Sequence, residues 1–167
     1  MNLEQPGLLV EKLRCLQYRL VLAESCTGGL AAARLTSIAG VSDILCGSMV
    51  TYRENTKKQW LGVSEETLMQ FSAVSEEVTL AMASAILNAT PEASVAAAIT
   101  GHLGPNAPEE LDGIIFAAVA IRQAGARDVS SGPLPSCITT HLKTTERIER
   151  QHEAAGFLLS SISDSLN

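Results

Sequence analysis

The stretch Arg19-Leu20-Val21-Leu22-Ala23-Glu24-Ser25-Cys26-Thr27-Gly28-Gly29 decides the fold. Its apolar residues run almost continuously from Leu20 to Ala23, the pattern of a strand covered on both faces. Leu30 to Ile38 then carries Leu30, Ala31, Arg34 and Leu35 at helical spacing, with Gly40 as a natural stop. A polar string between a buried strand and a helix sits at the carboxyl end of that strand, where open α/β sheets place ligands. The glycines let the backbone approach a ligand closely. The N–H groups that open the helix attract anions. A hydroxyl at Ser25 or Thr27 beside those donors offers a nucleophile and an oxyanion or phosphate cradle together. A serine or threonine helix cap after a glycine turn explains the same string structurally, and spacing alone leaves both readings open.

Outward from this string the pattern continues in layers. Leu3 to Cys15 predicts a helix, with Leu9, Leu13 and Leu16 on one face. Ile44 to Tyr52 predicts a strand, and Glu54 to Leu61 a helix that Gly62 ends. Ser64-Glu65-Glu66 and Ser75-Glu76-Glu77 each read as a helix start, a serine cap followed by acids at the positive end of the dipole. The second opens an amphipathic helix with Val78, Ala81, Met82, Ala85 and Ile86 inward and Pro91 beyond its end. Ser94 to Ile99, Gly113 to Ile121 and Ser136 to Leu142 read as strands. Thr144 to Ser163 is the last helix, with Ile148, Ala155, Leu158, Leu159 and Ile162 inward. Strands mixed with helices imply a layered α/β fold, and consecutive late strands without a helix between them imply an antiparallel hairpin in a mixed sheet. The loop-like clusters Gly104–Pro108 and Ser130–Pro135 are short connections, so residues 1–167 are expected to form one domain.

The composition narrows the function. A chain of 167 residues buries about 68–70% of its unfolded surface and needs no disulfide or structural metal to fold. With 46% hydrophobic and 18% charged residues it is neither disordered, collagenous nor a coiled coil. A net charge of −6 and 4% aromatic residues discourage nucleic-acid and anionic-membrane binding. No apolar run reaches the roughly 20 residues of a membrane span, and the first residues lack the basic and apolar regions of a signal peptide. Cys15, Cys26, Cys46 and Cys137 form no CxxC pair, so buried free thiols in a cytoplasmic protein are expected. His102, His141 and His152 are scattered, without HExxH.

A second candidate group is Tyr52-Arg53-Glu54-Asn55-Thr56-Lys57. Tyr52 ends a predicted strand, and Lys57, on the following helix, can return to the mouth of the sheet near Ser25. A desolvated lysine loses its proton near neutral pH and acts as a base, and Ser–Lys pairing is a known nucleophile–base arrangement. For an isolated lysine, a solvated helix face is the simpler reading. The P-loop, the G-x-G-x-x-G fingerprint and the G-x-S-x-G elbow are all unmatched.

Together the two segments resemble the C-terminal domain family of the competence-damage-inducible protein CinA, which includes stand-alone nicotinamide-nucleotide amidases. The resemblance rests on Ala23-Glu24-Ser25-Cys26-Thr27-Gly28-Gly29, Gly47, Tyr52 and Lys57, Leu61-Gly62-Val63, Ala73-Val74-Ser75-Glu76-Glu77-Val78 and Ile99-Thr100-Gly101, and it runs from about residue 8 to the end. It implies a three-layer α/β/α sandwich with a mixed, mainly parallel sheet, and a homodimer is expected. It implies hydrolysis of the carboxamide of nicotinamide mononucleotide in pyridine nucleotide salvage, without metal or organic cofactor. Ser25 matches the nucleophile, Lys57 the base and Tyr52 an assisting residue. Glu24, Cys26, Thr27, Gly28 and Gly29 would form the ligand-facing turn, Thr100 and Gly101 a second wall. Arg147 matches an arginine placed to meet the substrate phosphate, although an ion pair with Glu146 or Glu149 explains it too. The larger family proteins carry a further N-terminal domain, and this chain resembles the stand-alone form.

The chain departs from the family pattern in three places. Thr100 to Gly113 is shorter in glycine and richer in acids (Glu109, Glu110, Asp112), which would repel a phosphate if they faced it. His102 replaces an apolar residue, and Ser72 stands where glycine is usual. These departures keep a second reading open, a silent relative that binds a nucleotide or a protein partner.

Overall fold

The computed structural model describes residues 4–122 and 135–167, so the cluster Ser130–Pro135 lies almost wholly outside the described residues. The elements are α1 (Glu4–Leu16), β1 (Leu20–Glu24), α2 (Leu30–Thr36), β2 (Leu45–Val50), α3 (Glu54–Leu61), α4 (Glu65–Phe71), α5 (Glu76–Ala89), β3 (Val95–Gly101), β4 (Ile114–Ile121), β5 (Ser136–His141) and α6 (Arg147–Ser165). The five strands form one sheet in the order β2-β1-β3-β4-β5. β1 is parallel to both β2 and β3, whereas β4 is antiparallel to β3 and to β5. The sheet is therefore mixed, with only β4 running against the rest. That reversal places the β3–β4 connection beside the carboxyl ends of β1 and β2.

Two apolar cores lie on the two faces of the sheet, which makes the three layers. Leu20, Leu22, Val95, Ala97 and Ile99 face Leu9 and Leu13 of α1, Ala31 and Leu35 of α2, and Ala155, Leu158 and Ile162 of α6. Val21, Ala23, Ala96, Ala98, Ala118 and Ala120 face Val78, Met82 and Ile86 of α5, with Leu61 and Leu68 beside them. β1, β3 and β4 split their side chains between the faces by the two-residue period, although their sequences read as apolar runs. The alanines beneath α5 leave room for its longer side chains.

The expected caps form. Ser64 Oγ accepts from Thr67 N at 3.0 Å, and Ser75 Oγ accepts from Val78 N at 3.2 Å. Gly62, at φ +68°, closes α3. Four expectations are corrected. α2 stops at Thr36, before Gly40, which opens a short 3-10 turn instead. The buried arc of α5 is wider than its expected stripe: Thr79, Ala83 and Leu87 are buried, while Ala81 and Ala85 are only partly so. The reason is that α5 packs against the sheet and against α3 and α4 at once. Ile148 is 67% exposed, because the inward position in the first turn of α6 is taken by Arg150. All four cysteines are free, but only Cys26 is buried, and Cys15 is exposed.

Candidate active site

The site is built where β1 and β2 end side by side. The ladder continues one step past each strand: Ser25 N donates to Ile99 O at 3.1 Å, and Thr51 N donates to Glu24 O at 2.8 Å. Glu24 is fully buried, and its carboxylate is saturated. Oε2 accepts from Thr27 Oγ1 (2.7 Å), Gly29 N (3.0 Å) and Ala31 N (3.1 Å). Oε1 accepts from Ala32 N (2.9 Å) and Ser48 Oγ (3.1 Å). The anion at the start of α2 is thus the chain's own carboxylate. This corrects the expectation that Glu24, Thr27 and the helix opening face a ligand: they hold the turn from behind. Gly28 and Gly29, at φ +63° and +96°, supply a reversal that other residues reach only with strain, and Gly28 N closes it onto Ser25 O at 3.0 Å. They shape the turn but do not line the cleft. Ser25 and Cys26 do.

Lys57 is 1% exposed, a rare environment for a lysine. Its Nζ donates to Thr51 O at 2.8 Å. Burial brings its pKa down to about 8, against an upward pull from Cys26 and Glu54. Burial likewise pushes the Cys26 thiol up to about 12, although Lys57 and the N–H groups of Cys26 and Thr27 pull it down, so this thiol stays protonated. Strand alternation puts Ser25 on the α5 face of the sheet, the face from which α3 delivers Lys57. The structure therefore brings Ser25 and Lys57 to one end of the sheet. Among the described residues, however, Lys57 Nζ bonds to Thr51 O and not to Ser25 Oγ.

The cleft above Ser25 has a volume of about 190 Å³. Its far wall is the segment from Gly101 to Ala107, and Tyr52, Val74 and Arg147 complete the rim. Gly101 lines this wall, and it must be glycine because a Cβ there would lie 2.4 Å from Ile115 Cγ2. Thr100 does not line it: its hydroxyl is fully buried against α5, 2.7 Å from Thr79 Oγ1. The expected substrate role of Thr100 is corrected by that bond, which turns the side chain into the α5 core and away from the cleft.

Tyr52 is 56% exposed, and its hydroxyl oxygen accepts from Arg147 Nη2 at 2.9 Å. Arg147 Nη1 donates to Gly104 O. Arg147 thus spans the mouth of the cleft from α6 to both rims, and it pairs with neither Glu146 nor Glu149. The acids of the shortened loop do not face the cleft. Glu109 and Glu110 are exposed on a 3-10 turn, and Asp112 binds Arg150 by two parallel bonds of 2.8 Å each. The guanidinium of Arg150 holds the Asp112 carboxyl below its usual range. His102 lines the cleft, with its backbone fixed by Ile114 O and Gly113 N.

Several contributors carry no sequence signal. Gln151 Nε2 donates to Thr27 O at 2.9 Å and packs over Gly28, so α6 steadies the turn that follows Ser25. Arg150, 6% exposed, anchors the wall and also donates to Thr144 O at 2.9 Å. Among the described residues no three His, Cys, Asp or Glu side chains are placed to hold a metal ion. No described helix is long and apolar enough to cross a membrane.

Similarity to known proteins was found at two levels. A family model described as the CinA C-terminal domain matches residues 4–133. A CinA-like protein of Chlorobium phaeovibrioides is 41% identical over 121 residues, which cover 71% of this chain and 28% of that protein. A CinA-like protein of Syntrophobacter fumaroxidans is 50% identical over 95 residues, covering 57% of this chain and 22% of its own length. The chain thus spans about a quarter of the curated relatives it matches. A competence-damaged (CinA) superfamily protein of Klebsiella pneumoniae superposes with a TM-score of 0.88 at 28% identity, covering 99% of this chain and 98% of that one. A competence/damage inducible protein of Agrobacterium tumefaciens gives 0.87 at 31% identity, covering 99% and 94%.

Proposed function

The chain belongs to the CinA C-terminal domain family, and we propose that it hydrolyses the carboxamide of nicotinamide mononucleotide to nicotinate mononucleotide and ammonia. The observation that carries this reading is the buried, desolvated Lys57 delivered to the strand end where Ser25 opens into a cleft. A lysine with a pKa near 8 is neutral often enough at working pH to take a proton. Lys57 removes the proton of Ser25 Oγ. The oxygen attacks the carboxamide carbon, and the carbonyl electron pair moves onto oxygen. The N–H groups of Cys26 and Thr27, which among the described residues donate to no backbone carbonyl, would serve that oxyanion as donors. Lys57 returns the proton to the leaving ammonia, and water then releases the acid by the reverse sequence. Tyr52 assists from the rim, Gly101 forms part of the wall beside the ring, and Arg147 offers the phosphate a forked cation. The reaction needs no metal.

The test is ammonia release from nicotinamide mononucleotide by the wild type and by Ser25→Ala. The wild type should release ammonia, and the variant should lose at least about 10³-fold while keeping its thermal midpoint. Full activity in Ser25→Ala would sink the mechanism.

One observation favours a second reading. Lys57 Nζ rests on Thr51 O rather than on Ser25 Oγ, as expected of a chain that binds a pyridine nucleotide without turning it over. Calorimetric binding together with zero ammonia would select it.

A further inference from the structure

Thr51 is fully buried, and its side-chain hydroxyl has no hydrogen-bond partner among the described residues. A buried hydroxyl without a partner forfeits its bonds to water and gains nothing in exchange, whereas a valine of the same shape would avoid that loss. Such a group calls for a reason, and its position supplies one. The backbone of Thr51 is occupied on both sides: its N–H donates to Glu24 O at 2.8 Å, and its carbonyl accepts from Lys57 Nζ at 2.8 Å. The register Glu24↔Val50, carried one residue further, sets Thr51 beside Ser25. Val50 packs towards Gly29 on the α2 face, so alternation turns Thr51 to the opposite face, with Ser25 and Lys57. The orphan hydroxyl therefore lies in the same small region as Ser25 and Lys57, buried, with its donor and acceptor capacity both unused among the described residues.

We propose that Thr51 is a positioning residue whose hydroxyl links Ser25 to Lys57 during proton transfer. In the resting structure the hydroxyl bonds to neither group, so a side-chain rotation of Ser25 brings Oγ onto it, and a rotation in the flexible stem of Lys57 carries Nζ from the carbonyl oxygen of Thr51 to the hydroxyl of the same residue. The Ser25 Oγ–H proton then passes to Thr51 Oγ1 as the proton of Thr51 passes to the neutral Lys57 amine. The electron pair left on Ser25 Oγ forms the new bond to the carboxamide carbon, and the C=O π pair moves onto its oxygen. Thr51 ends the step as it began, with one proton. The titratable neighbours that bear on Lys57 are Cys26 beside Ser25 and Glu54 on α3 itself, and neither is altered by changing Thr51.

This inference rests on the amidase reading for its substrate, but Ser25 reactivity can be measured without that substrate. The experiment compares wild type, Thr51→Val and Thr51→Ser for kcat and KM on nicotinamide mononucleotide across pH 6–10, for the rate at which a fluorophosphonate probe labels Ser25, and for thermal midpoint. The expected result is a kcat and a labelling rate at least about 10-fold lower in Thr51→Val, with KM unchanged and a midpoint equal or higher. Thr51→Ser should recover most of the rate. A buried structural threonine would give the opposite split, a lower midpoint with kcat intact, and that result overturns the proposal. Equal rates in wild type and Thr51→Val overturn it as well. If the wild type labels but does not release ammonia, the substrate assignment fails while the labelling rates still decide the role of Thr51. If Ser25 neither labels nor turns over in the wild type, both readings fall.

Discussion

The floor and the far wall of the cleft are held together by different means. The floor, residues 24–29, hangs on a single buried carboxylate that accepts five hydrogen bonds, four of them from residues within eight positions of it. The wall, residues 101–113, has no such local anchor. It is gripped from outside by guanidinium groups of α6, Arg150 on Asp112 and Arg147 on Gly104. Buried, charge-assisted bonds with no competing water make a stiff floor. Arg150 is buried and holds the base of the wall, whereas Arg147 is exposed, and its bonds at the solvent edge exchange with water and with ligand, so the outer wall adjusts. The difference teaches a division of labour: in the proposed reaction, chemistry sits on the stiff part and recognition on the adjustable one.

Four changes would break or sharpen that contrast. The largest effect belongs to the base. Lys57→Met should lower ammonia release about 10³-fold. It should also raise the thermal midpoint at pH 7, because the native state holds a lysine at about 8 against an ordinary 10.5. Between those values the unfolded chain binds more protons, so wild-type stability rises with pH there. The gap between variant and wild type should be full below pH 8 and close by about pH 10.5, which thermal melts across pH 7–11 would show. A gap that widens with pH would contradict the buried, depressed lysine. Glu24→Gln comes next. An amide nitrogen set among donors should cost about 3 kcal/mol in urea unfolding, and a smaller loss than for the wall variant Arg150→Met would reverse the ranking of floor over wall. Arg147→Met should raise KM about tenfold with kcat within about twofold. A fall in kcat alone would place Arg147 in the chemistry and not in recognition. The smallest effect is Ser72→Gly. Ser72 sits at φ +66°, ψ 165°, a region almost restricted to glycine, so the glycine variant should gain about 1 kcal/mol in chemical denaturation with activity unchanged.

The same contrast explains which parts could be read from the sequence. The strand–turn–helix around Ser25 is written in adjacent residues, and so are the serine caps of α4 and α5 and the end of α3 at Gly62. Lys57 is six residues beyond Thr51 and stands in the first turn of α3, so its return to the strand end was within reach. Residues of α6 that steady the site are 95 positions from Tyr52 and 124 from Thr27, and such contacts leave no period or motif. The direction of Thr100 was hidden for another reason: β3 is apolar on both faces, so its alternation is invisible until the sheet is assembled. The role of Glu24 was misread because a carboxylate beside glycines looks the same whether it meets a ligand or caps a helix.

Because β4 turns back along β3, the connection between them closes on its own ladder, with His102 N on Ile114 O and Gly113 N on His102 O, each near 3.0 Å. Leu103 is buried in the core, and Gly104 and Asp112 are gripped by Arg147 and Arg150, so residues 105–111 are the part that hangs outside that closure. This segment can be lengthened, shortened or recharged without disturbing the strand that carries Ser25. The architecture separates changes in the cleft wall from changes at the strand end, and a library confined to 105–111 would vary the wall over an unchanged Ser25 turn.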